Sequence, residues 1–211
     1  MREDPSESLT RLLGGGRAAL DATAPAVAFV VGWLASGHSL TWGAGAALAA
    51  GVVVAALRLR RGRRPLAALL GLLGVSVAVL VVLYTGRAAD FFLAQLLSNL
   101  ASALVWTLSV LVRWPLLGMI VGGLLGQRTS WRRDPALLRA YSLASWVWVG
   151  QYLVRVAAFA PLWAADAVVA LGVARVVLSG PLVLACVGVS GIVLLRALPS
   201  DHPGLRRVRR S

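Results

Sequence analysis

The chain has 211 residues, 59% of them apolar, and a mean hydropathy of +0.81. That is more apolar sequence than a soluble domain of this length can bury, which excludes the soluble globular class and leaves a polytopic membrane protein. The net charge is +13 and all 21 basic residues are arginine, so lysine-dependent Schiff-base and P-loop chemistry is excluded. The arginines fall between apolar segments, as in cytoplasmic loops, which argues against a nucleic-acid partner.

A bilayer core about 30 Å thick is crossed by about 20 mostly apolar residues. The sequence divides into a polar N-terminal tail, 1–17, one integral helical domain, 18–198, and a basic C-terminal tail, 199–211. The first apolar segment runs over 18–36. A cleaved signal peptide is the rival reading, and the acidic leader and the hydrophobic sequence downstream oppose it. Gly14, Gly15 and Gly16 ahead of the segment suit a hinge better than an anion-binding nest. The second segment, 40–59, carries a ladder of small residues, Gly43, Ala47, Gly51 and Ala55, that lets helix backbones approach closely in lipid. The basic run RLRRGRR at 58–64 follows, and then the third segment at 65–86.

The fourth segment, 90–112, continues past Arg113, Trp114 and Pro115 into LLGMIVGGLLG. About 37 residues would span about 55 Å, so Pro115 is expected to kink the helix or to begin a re-entrant or interfacial piece. In the following loop Asp134 is placed to cap a helix with Pro135 at its first position. That helix is the fifth segment, and it contains YSLASWVWVGQYLVRVAAFAPLW. The sixth, 166–198, is broken at Gly180 and Pro181. The fourth and sixth segments share this broken design, and each is introduced by a similar word, GRAAD at 86–90 and LWAAD at 162–166, which hints at a repeated helical hairpin.

Five arginines lie in 58–64, four in 128–139 and four in 206–210, against one in the short loops between. The positive-inside rule then predicts an all-α bundle of six crossings with both termini cytoplasmic. The expected location is a bacterial plasma membrane, multi-pass.

On the fifth segment Tyr141, Ser145, Trp148, Tyr152, Arg155 and Phe159 recur at steps of four and three and share one face. On the fourth, Gln95, Asn99, Ser102, Trp106, Ser109 and Arg113 do the same. Polar side chains in lipid face the bundle interior, so the stripes are expected to face each other or a shared cavity, and the plainer role of the Ser and Gln positions is interhelical hydrogen bonding.

Arginine at mid-bilayer costs at least about 2.5 kcal/mol. Entering near Tyr141, the fifth helix carries Arg155 about 21 Å inward, and its side chain leans away from the nearer, outer surface. A buried partner or water is expected there. Arg113, at a helix end, is expected at the cytoplasmic interface, and Arg175 is expected to lean back to the outer face. Asp90 and Asp166 are expected to start helices on the outer side, pairing with Arg155 or Arg175, and Asp21 lies within reach of Arg113. Capping or interface placement is the plainer role of all three acids. Asn99, Trp148, Tyr152, Arg155 and Arg175 are thus candidates to line one cationic, aromatic-walled cavity suited to a small anion or a phosphorylated headgroup.

His38 in a loop and His202 in the tail form no set with metal-ligand spacing, and no metal or cofactor is expected. Neither a catalytic cluster nor a Ser-His-Asp relay is supported by the spacing. The lone Cys186 excludes an intrachain disulfide and reads as a packing residue.

Several words occur together: TGRAADFF at 85–92, Asn99, VRWPLLG at 112–118, WRRDPALLRAYSLASWVWVG at 131–150, Arg155 and PLW at 161–163. Over roughly 14–182 they resemble an actinobacterial family of small integral membrane proteins catalogued as a domain of unknown function. More distantly, the arrangement is similar to the intracellular septation protein A family. The matching residues are Arg87, Asp90, Asn99, Arg113, Trp131, Arg132, Asp134, Tyr141, Trp148 and Arg155, and the resemblance supplies no catalytic role for any of them. Three functions follow in order: a transport or permeation protein for a small ion or anionic ligand; a non-catalytic structural or regulatory envelope factor, related to septation; and a membrane enzyme acting on a lipid or isoprenoid. Expected partners are the bilayer, including anionic lipid, and a second copy or an envelope protein.

Overall fold

Long runs of Ala, Leu and Val leave the backbone one local way to satisfy its N–H and C=O groups in lipid, the helix. The structure, a computed structural model, describes residues 15–62, 65–124 and 130–197, and every regular element among them is helical. The terminal tails with His202, and Gly14 and the arginines at 63, 64 and 128, lie outside the described residues.

In chain order the helices are α1 (Gly15–Ala35), α2 (Leu40–Arg60), α3 (Pro65–Thr85), α4 (Leu93–Leu111), α5 (Leu116–Leu124), α6 (Pro135–Ala164), α7 (Val168–Val177) and α8 (Gly180–Ala197). Short 3-10 turns at Ala88–Phe92 and Ser130–Arg133 precede α4 and α6. Five helical stretches are long and apolar enough to cross a membrane: α2, α3, Ala88–Leu111, α6, and Val168–Ala197 taken through its turn. The apolar part of α1, Asp21–Ala35, is shorter.

The chain forms two compact units. The first comprises residues up to Gln95 together with Ala158–Gly180, and the second comprises Leu96–Ala157 together with residues from Pro181 onward. In the first unit the small-residue ladder of α2 is buried along its length. A Cβ on Gly43 would stand 3.1 Å from Trp33 of α1, and one on Gly51 would stand 3.4 Å from Leu72 of α3, so the ladder serves both neighbours. From α1, Gly32 approaches as closely: a Cβ there would meet Ala46 at 2.8 Å. α7 packs on α1 through Gly172, where a Cβ would meet Val30 at 2.9 Å.

The core of the second unit is built on Trp131, Leu137, Ala140, Tyr141 and Ala144, all fully buried, with Trp106, Leu117 and Leu194 around them. Gly118 of α5 lies flat on the Trp131 ring, and a Cβ there would meet it at 2.9 Å. Asp134 caps α6 as expected, its Oδ1 accepting from Ala136 and Leu137 N–H at 2.9 and 3.3 Å.

Three helices end in the same motif. His38 N–H donates to Trp33 C=O, Trp114 to Ser109 and Ala167 to Leu162, each six residues back to one, paired with an inner bond from the residue before. The left-handed position belongs to Gly37 in α1, but to Arg113 (φ 56°) in α4 and Asp166 (φ 52°) in α6. Pro115 therefore follows a completed helix end, and α5 is a separate nine-residue helix. Asp166 ends α6 and does not start α7, which is preceded by Ala167 without a side-chain cap. An acid before an apolar run signals an N-cap in sequence, but here the six-to-one bond claims the position.

Candidate functional site

Each described acid of the first unit has a partner within that unit, and Arg175 bonds a backbone carbonyl. Asp21 is bridged by Arg58 Nε at 3.4 Å and Arg61 at 4.0 Å from the end of α2, so the expected partner, Arg113, is replaced. The reason is register: α1 and α2 are joined by a four-residue turn, which brings the end of α2 beside the start of α1. Asp90 is buried and accepts from Trp163 Nε1 at 2.8 Å, with Arg87 at 4.0 Å. Arg87 also lies over the Trp163 ring, 5.1 Å from its centroid, and donates to the Trp163 carbonyl at 3.3 Å. Asp166 Oδ1 accepts from Ala89 N–H at 3.2 Å. The words GRAAD and LWAAD are thus reciprocally bonded: the aspartate of each accepts from a residue of the other.

Arg175, expected to lean toward the outer face, donates to the Ala22 carbonyl at 3.3 Å near the start of α1. Arg175 belongs to the first unit, while Asn99, Tyr152 and Arg155 belong to the second. Arg113 is exposed at its helix end.

The second unit brings the two stripes together. Trp106 of α4 stacks on Trp148 of α6, ring centroids 5.2 Å apart and planes 9° from parallel. Asn99, Ala103, Trp106 and Ser109 form the buried face of α4. Ser109 is consumed structurally, donating to the Trp106 carbonyl at 2.7 Å and accepting from Leu116 N–H at 3.3 Å. On α6 the buried face holds Tyr141, Ser145 and Gln151, with Trp148, Tyr152 and Arg155 half-buried. The Arg155 guanidinium lies 6.0 Å from the Tyr152 ring centroid, and the Cys186 thiol of α8 is an electrostatic neighbour of it.

Tyr141 and Ser145 are 0% exposed, Gln151 3% and Ser190 of α8 4%. Each carries a side-chain oxygen with no hydrogen-bond partner among the described residues, and the Trp148 indole nitrogen is in the same condition. A buried polar atom left unsatisfied costs about 1–3 kcal/mol, so a row of them marks a place where water or a ligand completes the set. The available donors are three hydroxyls and an indole N–H, and the Gln151 amide oxygen adds an acceptor. The two spans that supply them, 135–157 and 181–197, and the stacked span 96–112 contain no Asp or Glu; of their arginines, 139 and 196 are exposed and Arg155 is half-buried. Hydroxyl and indole donors on the spans that carry one half-buried arginine suit an anion.

Gln151, Ser190 and the setting of Cys186 were missed by the sequence reading. Gln151 was discoverable, being three residues from Trp148 and four from Arg155 on the same face. Ser190 and Cys186 lie at i and i+4 on a helix otherwise apolar all round, which gives no periodic signal.

Among the described residues no group of three His, Cys, Asp or Glu side chains could hold a metal ion. No curated protein and no solved structure matches the chain. The membrane-crossing helices, the reciprocal GRAAD and LWAAD contacts and the Trp131 core all fall within residues 13–201, which match the family described as "Protein of unknown function (DUF3159)", and the chain belongs to that family.

Proposed function

We propose that this chain is a multi-pass plasma-membrane protein, with six crossings and cytoplasmic termini, whose second unit takes a small anion and provides its path through the bilayer. The observation that carries the reading is the row of buried, partnerless polar atoms on α6 and α8, Tyr141, Ser145, Trp148, Gln151 and Ser190, on spans without a carboxylate. Arg155 supplies the fixed positive charge at a depth of about 21 Å from Tyr141, where an arginine is tolerated only beside water, a partner or a ligand. The exposed arginines at 60, 61, 132 and 133 support the cytoplasmic assignment of the loops that carry them. Arg155 and Tyr152 would hold the anion, and the hydroxyls would replace part of its hydration shell.

The test is anion flux into proteoliposomes containing the full chain, with chloride, nitrate and phosphate offered separately. At least one monovalent anion is expected to pass, and Arg155→Met is expected to lower its rate about tenfold, equivalent to about 1.4 kcal/mol, without loss of thermal stability. Absence of flux for all three ions, or flux unchanged in R155M, overturns the reading.

A further inference from the structure

The first unit contains an open groove of about 860 Å³ that the anion reading does not use. Its walls are the end of α1, the turn after it and one face of α7, with Trp33, His38, Asp166, Val169, Val173 and Val177 among the residues that line it. We propose that this groove is a lipid site for a phospholipid with a primary ammonium headgroup.

Three observations converge on that occupant. The groove is amphipathic along its length: His38 and Asp166 are its ionisable lining residues, while from Ala167 to Leu178 the α7 wall is apolar. Ten residues of helix extend about 15 Å, so a chain anchored at the polar end would reach about half-way into the hydrocarbon.

The second observation is charge. Among the described acids Asp21, Asp90, Asp134 and Asp166, only Asp166 is exposed, and it stands at this rim in a protein of net charge +13. Its Oδ1 accepts one backbone N–H from Ala89, and a carboxylate has about four acceptor positions, so capacity remains for an ammonium. His38 supplies a donor for the phosphate of the same headgroup, and its ring meets the Trp33 ring edge-on at 4.3 Å. Trp at such a level is the residue that anchors at headgroup depth.

The third is backbone strain. His38 (φ 72°) and Asp166 (φ 52°) are two of the three non-glycine residues with positive φ among those described, and both are on this rim. Non-glycine residues held in this region are enriched at ligand clamps. A primary ammonium donates hydrogen bonds to the carboxylate, whereas a choline headgroup has no N–H to give, which sets the expected order of preference.

The full chain, purified in detergent, is offered phosphatidylethanolamine, phosphatidylcholine and phosphatidylglycerol with identical acyl chains, and retained lipid is counted by native mass spectrometry. Ethanolamine lipid is expected to be retained about fivefold over choline lipid, the scale of one charge-assisted hydrogen bond. D166N keeps the acceptor for Ala89 N–H but removes the charge, and it is expected to abolish the preference. V173W fills the groove and is expected to lower retention of all three lipids. Equal retention of the three means annular lipid only and overturns the site, as does a preference for the glycerol lipid or one that survives D166N. Should V173W fail to fold, ethanolamine lipid with a photoreactive acyl chain is crosslinked to the unmodified chain. Adducts concentrated in 168–178 support the groove, and adducts spread over the exposed face of α3 overturn it. Neither result depends on anion flux, so the two proposals fail separately.

Discussion

In the first unit each described carboxylate has a partner: Asp21 has Arg58 and Arg61, Asp90 has Trp163 and Arg87, and Asp166 has the Ala89 N–H. In the second, Tyr141, Ser145, Trp148, Gln151 and Ser190 each keep a polar atom that the protein does not satisfy. Both arrangements carry polarity in apolar surroundings, but only the first is complete within the protein. Polar groups in the first unit therefore hold helices together, while those in the second are the ones on which the proposed anion site rests. On the proposed function, the difference also separates two kinds of mutational response, in stability for the first unit and in anion flux for the second.

The largest expected effect breaks the completeness of the first unit. Asp90→Ala removes the acceptor of the Trp163 indole and the charge facing Arg87, and leaves the donor without replacement in a buried setting. A loss of about 3 kcal/mol is expected in reversible unfolding in detergent, with Asp90→Asn losing about half as much because the amide oxygen still accepts. A loss below about 1 kcal/mol for D90A would place this contact among ordinary surface pairs and erase the contrast with the second unit.

The second unit offers its own reporter in Cys186, the single cysteine of the chain and a neighbour of Arg155. If water fills the polar interior, an anionic methanethiosulfonate reagent should label it about tenfold faster than a cationic one of similar size, and Arg155→Met should collapse the ratio toward one. A thiol inert to both reagents in the folded protein would mean a dry interface, and the second unit would then resemble the first.

Smaller effects are expected from the hydroxyls. Ser145→Ala and Ser190→Ala delete oxygens that bond to nothing in the protein, so each should change stability by less than about 0.5 kcal/mol, and a slight gain is consistent. The double variant should still lower anion flux about threefold, since those donors act only when the site is occupied. A stability loss above about 1 kcal/mol with unchanged flux would assign them to helix packing.

What could be read from the sequence follows from how local each signal is. The small-residue ladder of α2, the Asp134 cap and the inward faces of α4 and α6 rest on spacings within one element, and the structure reproduces them. Partners of charged groups rest on tertiary register, which no spacing encodes: Asp21 meets Arg58 because the turn after α1 folds α2 back beside it. Arg175 finds the Ala22 carbonyl because α7 packs against α1, a contact that no spacing within either helix encodes. Gln151 was lost by drawing the stripe too narrowly, since an inward helix face is at least about 100° wide and admits it beside Trp148.

Arg113 and Asp166 allow the finest version of the comparison, because they occupy the same left-handed position of the same helix-ending motif, one in each unit. Glycine at that position relieves about 1–2 kcal/mol of backbone strain and returns about 0.5–1 kcal/mol through the greater freedom of the unfolded chain. Arg113 is exposed, so Arg113→Gly should stabilise the protein by about 0.5 kcal/mol. Asp166→Gly gains the same relief but loses the bond from Ala89 N–H, worth about 1 kcal/mol, and should come out destabilising by about 0.5 kcal/mol. The sign should therefore reverse between two chemically equivalent substitutions. Equal effects in both variants would mean that the Asp166 side chain contributes nothing to joining the GRAAD and LWAAD segments, and that the first unit is held by its close helix contacts alone.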